Sequence, residues 1–318
     1  MRQYKECTLC GRHCKVDRIT GSLGTCGENS TMRIASAMLH KGEEPVLIGK
    51  NGSGVIFFSG CGMKCPFCQN IQLSRNKVGF PVETDEFADI CLQLEKEGAA
   101  NINLVTGTHF IPSIRLGLEK AKNLGLSVPV VWNSSGYDRI EALREIAPFI
   151  DIYLPDLKTL SSEVELKTLN TKNYIEIAPQ AILWMAKQAA ADIKQNNMLR
   201  GTIIRHLVLP GYIESTKQVL KWASGNLGNR VLYSIMFQYT PLNQPESSGY
   251  PSDSPMNRRV SEKEYNMVID MLSEFGIDNG FVQEYNIGNA WFPDFTNTNP
   301  FPSSEARPVW RDGFIQGR

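Results

Sequence analysis

Three cysteines stand close together in the segment CGMKCPFCQN, residues 61–70, with the spacing C-x3-C-x2-C. Thiolates are soft ligands that select iron–sulfur clusters, zinc or Cu(I). Most cysteine sites close their metal with four ligands, so a group of three indicates either a missing partner or a position left open. A cubane [4Fe–4S] cluster on Cys61, Cys65 and Cys68 would leave one iron without a protein ligand.

An open iron can take a substrate, and S-adenosylmethionine suits it. The amino and carboxylate groups of that molecule can chelate the iron, while its sulfonium lies close enough to accept an electron from the cluster. Homolysis would then give a 5′-deoxyadenosyl radical. The competing interpretations of the three cysteines are an incomplete zinc site and a reactive thiol pair.

A second group of cysteines lies near the N-terminus with the spacing C-x2-C-x3-C-x11-C: Cys7, Cys10, Cys14 and Cys26. Four thiolates are a full ligand set, which predicts a closed site whose metal helps to fold a segment with few large apolar residues. Zinc would suit a structural role, and a second [4Fe–4S] cluster would offer an electron relay or a substrate anchor. His13 is a spare ligand, and free or redox-active thiols are the remaining alternative.

Composition limits the class of protein. The 318 residues are 42% hydrophobic and carry 33 basic and 33 acidic side chains, so no net charge attracts nucleic acid or an anionic membrane. The sequence shows no signal peptide and no run of about 18 apolar residues, which predicts a cytoplasmic protein without a membrane span. The eighth cysteine, Cys91, falls on the apolar face of a predicted helix and is expected to be buried there.

The elements that must position these cysteines follow from hydrophobic patterning. Apolar, β-rich runs alternate with amphipathic helical segments, which predicts parallel strands joined by right-handed crossovers. The predicted fold is an α/β partial (β/α)6 TIM-type barrel with a small N-terminal cysteine-rich metal-binding lobe. The lobe is expected at residues 1–50, the barrel at 51–290 and a C-terminal tail at 291–318. The runs span residues 54–61, 101–109, 128–136, 149–158, 201–211 and 231–239.

Each run ends in polar residues, and parallel α/β folds place their sites at the C-terminal ends of the strands. The cysteines of residues 61–68 follow the first run. The other run ends are expected on the same rim: Thr106 to His109, Asn133 to Ser135, Asp156 with Lys158, Arg205 with His206, and Gln238.

CGMKCPFCQN after a β-strand resembles the cluster-binding signature of the radical S-adenosylmethionine (radical SAM) superfamily. The CQN ending, DLK after the fourth strand and IRHLVLPG at the fifth further resemble the branch of the pyruvate formate-lyase activating enzyme, and especially its relatives with an N-terminal cysteine-rich extension. The resemblance covers about residues 5 to 290.

The resemblance implies roles for individual residues. Cys61, Cys65 and Cys68 become the cluster ligands, and Phe67 is expected near the adenine. Family members often carry a Gly-Gly-Glu-Pro-like segment at the end of the second strand, where this chain reads TGTHF; Gly107 would still let the backbone approach the cofactor closely. Five further residues are candidates for contacting S-adenosylmethionine or ordering its surroundings: Asn70, Asn133, Asp156, Lys158 and His206.

The implied activity is reductive cleavage of S-adenosylmethionine and hydrogen abstraction by the adenosyl radical. Kinship with glycyl-radical activating enzymes suggests a protein glycine as target, with another peptide residue or a small molecule as the alternative. A low-potential reductant such as flavodoxin or ferredoxin is expected as a partner. Neither nucleic acid nor a membrane is expected to bind the protein. From other classes, an electron-transfer iron–sulfur protein and a zinc-binding interaction module remain as hypotheses.

Two further segments are expected to contribute no catalytic residue. Glu43 and Glu44 in HKGEEP are interpreted as part of a solvated turn ahead of Pro45. The polar, proline-rich stretch of residues 240–261 is interpreted as a functional loop that could cover the barrel mouth, followed by a helix capped by Ser261 and a short strand GFVQEY.

Overall fold

The structure is a computed structural model that describes residues 2–188, 190–242, 250–285, 292–311 and 314–315. Its helices are α1 (Arg2–Lys5), α2 (Pro45–Ile48), α3 (Ile71–Asn76), α4 (Thr84–Lys96), α5 (Ile111–Asn123), α6 (Ile140–Ile146), α7 (Ser162–Thr168), α8 (Tyr174–Met185), α9 (Ile213–Leu227) and α10 (Glu262–Glu274). Its strands are β1 (Met32–His40), β2 (Ser53–Phe58), β3 (Phe80–Val82), β4 (Ile102–Val105), β5 (Val130–Ser134), β6 (Ile152–Pro155), β7 (Asp192–Lys194), β8 (Asn197–Leu207), β9 (Leu232–Met236), β10 (Gly280–Val282), β11 (Ala306–Arg311) and β12 (Phe314–Ile315).

One sheet contains all the strands in the order β10-β9-β8-β6-β5-β4-β2-β1-β11-β12, with β3 paired to β1 and β7 to β8. The strands β2, β4, β5, β6, β8 and β9 are the six predicted runs, and each is parallel to its neighbour. The predicted α/β fold with six βα units is therefore confirmed. The predicted strand GFVQEY is β10, which adds in parallel to β9.

Residues alternate between the two faces of β2, as the period of a strand requires. Phe58 packs against Phe87 of α4 on the helical side, with ring centroids 6.2 Å apart. Phe57 points the other way, and it lines the same cavity as Phe281 of β10 at the far end of the sheet. The strands β2 and β10 stand at opposite ends of the row of parallel strands, yet both line one cavity. The sheet therefore curves around this cavity as a partial barrel.

The short helix α2 packs inside this curve. Leu47 is fully buried among Val131, Ile152, Leu154 and Ile203, which project inward from β5, β6 and β8. The side-chain amide of Asn101 donates to the Leu47 carbonyl oxygen at 2.7 Å, which fixes the helix at the start of β4. The segment before β2 thus fills the inside of the barrel near the N-terminal ends of its strands.

The predicted N-terminal lobe and C-terminal tail share the main core. Tyr4 and Leu9 belong to the same cluster of buried side chains as Val309 and Trp310. The strand β11 pairs antiparallel with β1, which itself pairs antiparallel with β2. The boundaries at residues 50 and 290 stay a prediction, because both flanking regions are joined to the barrel by sheet hydrogen bonds and a common core.

The helix predicted to begin after Ser261 is α10, and Ser261 and Glu264 form a reciprocal capping box at its start. In the loop before it, residues 243–249 lie outside the described residues. Tyr239 donates a hydrogen bond to the carbonyl oxygen of Met256 at 2.6 Å, which ties the described end of the loop to the strand end it follows. Across the part of the chain that the structure describes, no helix combines the length and the apolarity needed to cross a membrane.

Candidate functional site

The loop that follows β2 carries Cys61, Cys65 and Cys68 to one end of a cavity of about 690 Å³. The chain turns sharply at Gly60, whose φ of 82° is left-handed. A side chain there would collide with the Glu28 side chain at 2.6 Å, so only glycine lets the loop lie this close to the N-terminal region.

The three thiols form a donor set that fits an iron–sulfur cluster. The backbone N–H of Met63 points at Cys61 Sγ at 3.4 Å, as N–H groups do toward ligating thiolates. Burial raises the pKa of Cys65 to about 12, against the opposing effect of the Lys158 ammonium. Burial also raises the pKa of Cys68. Buried thiols of this kind lose their protons when a metal binds, because the metal supplies the compensating positive charge.

Strand ends bring polar groups to the same cavity. Thr106, after β4, and Asn133, at the end of β5, both line it, and the Thr106 N–H donates to the Asn133 carbonyl oxygen at 2.9 Å. Thr106 has a φ of 61°, a left-handed conformation that is costly for a β-branched residue. Phe67 and Asn70 of the cysteine loop line the cavity too, with the Phe67 ring edge-on to Tyr239 at 6.2 Å between centroids.

Asp156 and Lys158 form an ion pair in the cavity wall, with 2.5 Å between Lys158 Nζ and Asp156 Oδ2. Burial alone would lower the pKa of Lys158, but the carboxylate of Asp156 and the thiolate of Cys65 outweigh burial and raise it. The Tyr174 hydroxyl donates to the Asp156 carbonyl oxygen at 2.8 Å and accepts from the Lys158 N–H at 2.9 Å. A permanently charged ammonium is thereby fixed close to the cysteines.

The prediction that Glu43 and Glu44 lie in a solvated turn is wrong, because both carboxylates are buried against Arg205. Arg205 Nε donates to Glu44 Oε1 at 2.7 Å, and its Nη2 lies 2.6 Å from Glu44 Oε2 and 2.5 Å from Glu43 Oε2. Burial would raise the pKa of Glu43, but the charge of Arg205 and the nearby His40 ring outweigh it and lower the pKa to about 2. Two carboxylates and one guanidinium therefore form a charged end of the cavity.

His40 lies beside this group, and sequence reasoning missed it. Its ring is buried, lines the cavity and stacks obliquely on Phe301 with centroids 4.5 Å apart. Nδ1 lies 3.4 Å from Glu43 Oε1, and within the described part of the chain neither ring nitrogen has a hydrogen-bond partner. The sequence signal was available in the pattern H-x2-E-E before a proline, but it could not show that β1 delivers these residues to the barrel interior.

Two predicted cofactor residues lie elsewhere. His206 belongs to the helical side of β8, where its Nδ1 is 2.7 Å from the Leu157 carbonyl oxygen and its Nε2 is 3.0 Å from the Thr216 hydroxyl. Gly107 faces the same layer, and a Cβ on it would stand 2.6 Å from Ile114 Cδ1. Neither residue lines the cavity, whereas their neighbours Thr106 and Arg205 do. A direct contact with the cofactor stays a prediction for both, and His206 contacts the backbone between Asp156 and Lys158.

The N-terminal cysteines lie directly against the first group. The N–H of Cys61 donates to the Cys26 carbonyl oxygen at 3.3 Å, and Cys10 Sγ lies 3.1 Å from the position that a Cβ on Gly62 would take. Arg12 Nε donates to the Gly62 carbonyl oxygen at 2.6 Å. Among the residues that the structure describes, no three His, Cys, Asp or Glu side chains converge on the position of a single metal ion, and this holds for both cysteine groups.

Comparison with known proteins agrees with this donor set. Residues 55–223 match the family model of the radical SAM superfamily. The chain is 30% identical over 286 residues to the uncharacterized protein MJ0674 of Methanocaldococcus jannaschii, which covers 86% of this chain and 76% of that protein.

Three solved structures are similar at low identity. Streptococcus suis SuiB bound to the precursor peptide SuiA gives a TM-score of 0.48 at 13% identity, over 71% of this chain and 47% of that one. The [FeFe]-hydrogenase maturase HydG gives a TM-score of 0.49 at 13% identity, over 72% of this chain and 50% of HydG. A domain of a pyruvate-formate lyase-activating enzyme from Bacteroides vulgatus gives a TM-score of 0.37 at 16% identity, over 55% of this chain and 91% of that domain. The chain matches about half the length of SuiB and HydG, and TM-scores this low carry no argument about activity.

Proposed function

This chain belongs to the radical SAM superfamily, and from that premise we propose that it abstracts a hydrogen atom from a glycine in a peptide or protein substrate. It is a radical SAM enzyme whose cofactors are a [4Fe–4S] cluster and S-adenosylmethionine. The observation that carries the proposal is one cavity lined both by the three cysteines and by polar side chains from the strand ends.

Cys61, Cys65 and Cys68 would hold the cluster, since they are the three thiols at the cavity end and the family's C-x3-C-x2-C pattern falls on them. When bound, the cluster and S-adenosylmethionine supply one-electron cleavage of the sulfonium, which yields methionine and a 5′-deoxyadenosyl radical. Cys65 is buried in an apolar cluster with Met63 and Phe67, which would limit the access of water to the place where a reactive carbon radical would form.

Lys158 would bind the carboxylate of S-adenosylmethionine, because it is a fixed cation on the cysteine side of the cavity. Asp156 would hold Lys158 in place, as their 2.5 Å ion pair already does. Asn70 and Asn133 would supply neutral hydrogen bonds to the amino acid or ribose, and Phe67 an aromatic surface for the adenine. The missing Gly-Gly-Glu-Pro-like carboxylate leaves Thr106 as the group at that strand end.

The substrate would enter at the end of the sheet where β9 and β10 finish. Three glutamine side chains connect the cysteine loop to these strands: the amide of Gln238 donates to Gln69 Oε1 at 3.2 Å, and that of Gln283 to Gln238 Oε1 at 2.7 Å. Primary amides donate and accept equally well, which suits the alternating N–H and C=O groups of a peptide backbone. The sequence resemblance to glycyl-radical activating enzymes favours glycine as the residue attacked.

The first experiment tests cleavage of the cofactor. Anaerobically reconstituted protein is reduced with dithionite in the presence of S-adenosylmethionine, and 5′-deoxyadenosine is measured by chromatography. We expect wild type and Cys91→Ala to form it and Cys65→Ser to form none, because Cys91 is buried in α4 away from the cavity. Well-loaded, reducible wild type that forms no 5′-deoxyadenosine would favour the other class, an electron-transfer iron–sulfur protein.

A second experiment tests the substrate class. Cells of the source organism are grown with α-deuterated glycine, and their lysate is separated into a macromolecular and a small-molecule fraction. Deuterium should appear in 5′-deoxyadenosine only with the macromolecular fraction if a peptide glycine is the target. Transfer only from the small-molecule fraction would support radical modification of a small molecule instead. Flavodoxin or ferredoxin would replace dithionite as the physiological reductant.

A further inference from the structure

We propose that Cys7, Cys10, Cys14 and Cys26 bind a second, redox-active [4Fe–4S] cluster that lies against the loop of Cys61–Cys68 and has Arg18 as its buried counter-cation. The site is closed, since all four cluster irons receive a protein thiolate. This proposal concerns the N-terminal cysteines alone, and it stands whether or not the target of the radical chemistry is a peptide glycine.

The chain brings the four thiols around one space. Backbone hydrogen bonds from Cys7 N–H to the Val16 carbonyl oxygen, 3.1 Å, and from Lys15 N–H to the Cys7 carbonyl oxygen, 2.9 Å, close the loop that carries Cys10 and Cys14. The thiolates of Cys7, Cys14 and Cys26 all stand within electrostatic range of Cys10.

Gly24 leaves room between two of these sulfurs. A Cβ placed on Gly24 would stand 3.1 Å from Cys26 Sγ and 3.7 Å from Cys14 Sγ. Any larger residue would therefore intrude on the space that the thiols surround, which is the space that a cluster would need.

Arg18 is the independent observation that points to an anion. It is fully buried, and its N–H groups donate to the carbonyl oxygens of Glu28, at 3.2 Å, Asn29 and His109, and to Cys7 Sγ at 3.7 Å. Within the described residues no carboxylate forms an ion pair with it, and the Glu28 carboxylate pairs with Arg33 at 3.3 Å. A buried guanidinium costs several kcal/mol unless an anion compensates it. A cubane with four thiolate ligands is negatively charged, and it would lie beside this cation.

The neighbouring cysteine group favours a cluster over a single zinc ion. Cys61, Cys65 and Cys68 belong to a family that uses a [4Fe–4S] cluster, and the N-terminal group lies directly against their loop. Four thiolates would close a zinc site equally well, so the iron content of the protein decides between the two metals.

The position beside the first group gives the second cluster a redox role. Cys26 and Cys61 share a backbone hydrogen bond of 3.3 Å, and Cys10 packs against Gly62. The step is the transfer of one electron: a low-potential flavodoxin or ferredoxin is oxidised by one electron, the N-terminal cluster is reduced by one, and no bond forms or breaks. Zinc at the same place could not take up the electron.

The test compares metal content in anaerobically reconstituted, full-length proteins. Wild type should contain about eight iron and eight sulfide per chain, as two [4Fe–4S] clusters require. Cys65→Ser and Cys10→Ser should each contain about half as much iron and sulfide as wild type, and Cys91→Ala should contain as much as wild type. Zinc in place of iron in Cys65→Ser, or a full iron content in Cys10→Ser, would overturn the proposal.

Because Cys10→Ser could fail to fold, the deciding measurement uses Cys65→Ser, which leaves all four N-terminal cysteines intact. After dithionite reduction it should show the electron paramagnetic resonance (EPR) signal of one reduced cluster, unchanged by S-adenosylmethionine. Adding Arg18→Met should lower the midpoint potential of that signal, because the buried cation favours the more negative, reduced cluster. Absence of the signal would overturn the cluster, and an unchanged potential would overturn the role of Arg18. Neither result depends on cofactor cleavage, which Cys65→Ser has already lost.

Discussion

Arg205 and Glu44 form a bidentate ion pair inside the barrel, with 2.7 Å between Nε and Oε1 and 2.6 Å between Nη2 and Oε2. Arg205 comes from β8, and Glu44 from the segment between β1 and α2. The pair therefore joins the inner face of the parallel sheet to a segment that precedes it in the chain, and it fixes α2 inside the barrel.

Replacing Arg205 by methionine should destabilise the protein by about 3 kcal/mol, because it leaves the buried carboxylates of Glu43 and Glu44 without a cation. The free energy of unfolding is measured by urea denaturation of the anaerobic holoenzyme. Adding Glu43→Gln and Glu44→Gln to Arg205→Met should recover part of the loss, since the uncompensated charges are removed. Additive losses would show that the three charges do not interact.

Arg139→Met is the matched control for Arg205→Met. Arg139 pairs with Glu141 at 3.1 Å, but the Glu141 side chain is 64% exposed. Exposed ion pairs contribute little, so the free energy of unfolding should change by less than about 0.5 kcal/mol. A loss equal to that of Arg205→Met would mean that burial is not what makes the interior pair important.

The buried histidines His109 and His206 should make stability fall as the pH is lowered through the mildly acidic range. Burial lowers the pKa of His109 to about 3 and that of His206 to about 4. The unfolded chain, with an ordinary histidine pKa near 6.5, therefore binds more protons than the folded chain below that pH. Stability is fully present above about pH 6.5 and is lost as the pH falls toward the two folded pKa values.

Each histidine should contribute up to about 1.4 kcal/mol of lost stability per pH unit below about pH 6. Urea unfolding at pH 7.5, 6.0 and 5.5 measures the slope. His109→Gln and His206→Gln should each remove about half of the histidine contribution, so each variant serves as the control for the other. Equal slopes in wild type and both variants would contradict the assignment of neutral, buried rings.

The sequence was sufficient for the parts of the fold that rest on local pattern. Six apolar runs gave the parallel strands, because both faces of such strands are buried and leave a continuous hydrophobic signal. Ser261 gave the start of α10 through its capping residues. The apolar run before Cys61 correctly predicted that the cysteine loop follows β2.

The sequence was insufficient where long-range pairing decides. HKGEEP has the composition of a solvated turn, and only the antiparallel pairing of β1 with β2 places Glu43 and Glu44 beside Arg205. The pairing of β11 with β1 joins residues almost the whole chain apart, and no local pattern announces it. At Gly107 and His206 the strand was predicted correctly, but which face each residue takes depends on a register that a run of apolar residues does not fix.

Gly107→Ala should separate a packing role from a cofactor role. The new methyl group would stand 2.6 Å from Ile114 Cδ1 and 3.3 Å from the rings of Phe58 and Trp132, so it overpacks the layer between sheet and helices. We expect a loss of about 1 to 3 kcal/mol in the free energy of unfolding. Affinity for S-adenosylmethionine, measured by isothermal titration calorimetry, should stay within about twofold of wild type.

Gly225→Ala is the control for that substitution. Gly225 lies in α9, and a Cβ on it meets no atom within 4 Å. Alanine is the better helix former, so the variant should gain up to about 1 kcal/mol. A Gly107→Ala protein of wild-type stability that binds S-adenosylmethionine tenfold more weakly would support the prediction that Gly107 contacts the cofactor.

Lys158→Met should weaken the binding of S-adenosylmethionine at least tenfold, because it removes the cation proposed to bind the cofactor carboxylate and leaves Asp156 uncompensated in the cavity wall. The Kd is measured from the change that S-adenosylmethionine causes in the EPR spectrum of the reduced cluster, with iron content confirmed first. Lys172→Met, at an exposed lysine, should bind as wild type does. Asp156→Asn should give an intermediate Kd, since the ammonium keeps its charge but loses the partner that positions it. An unchanged Kd in Lys158→Met would mean that the ion pair is only a structural part of the barrel rim and that another group receives the carboxylate.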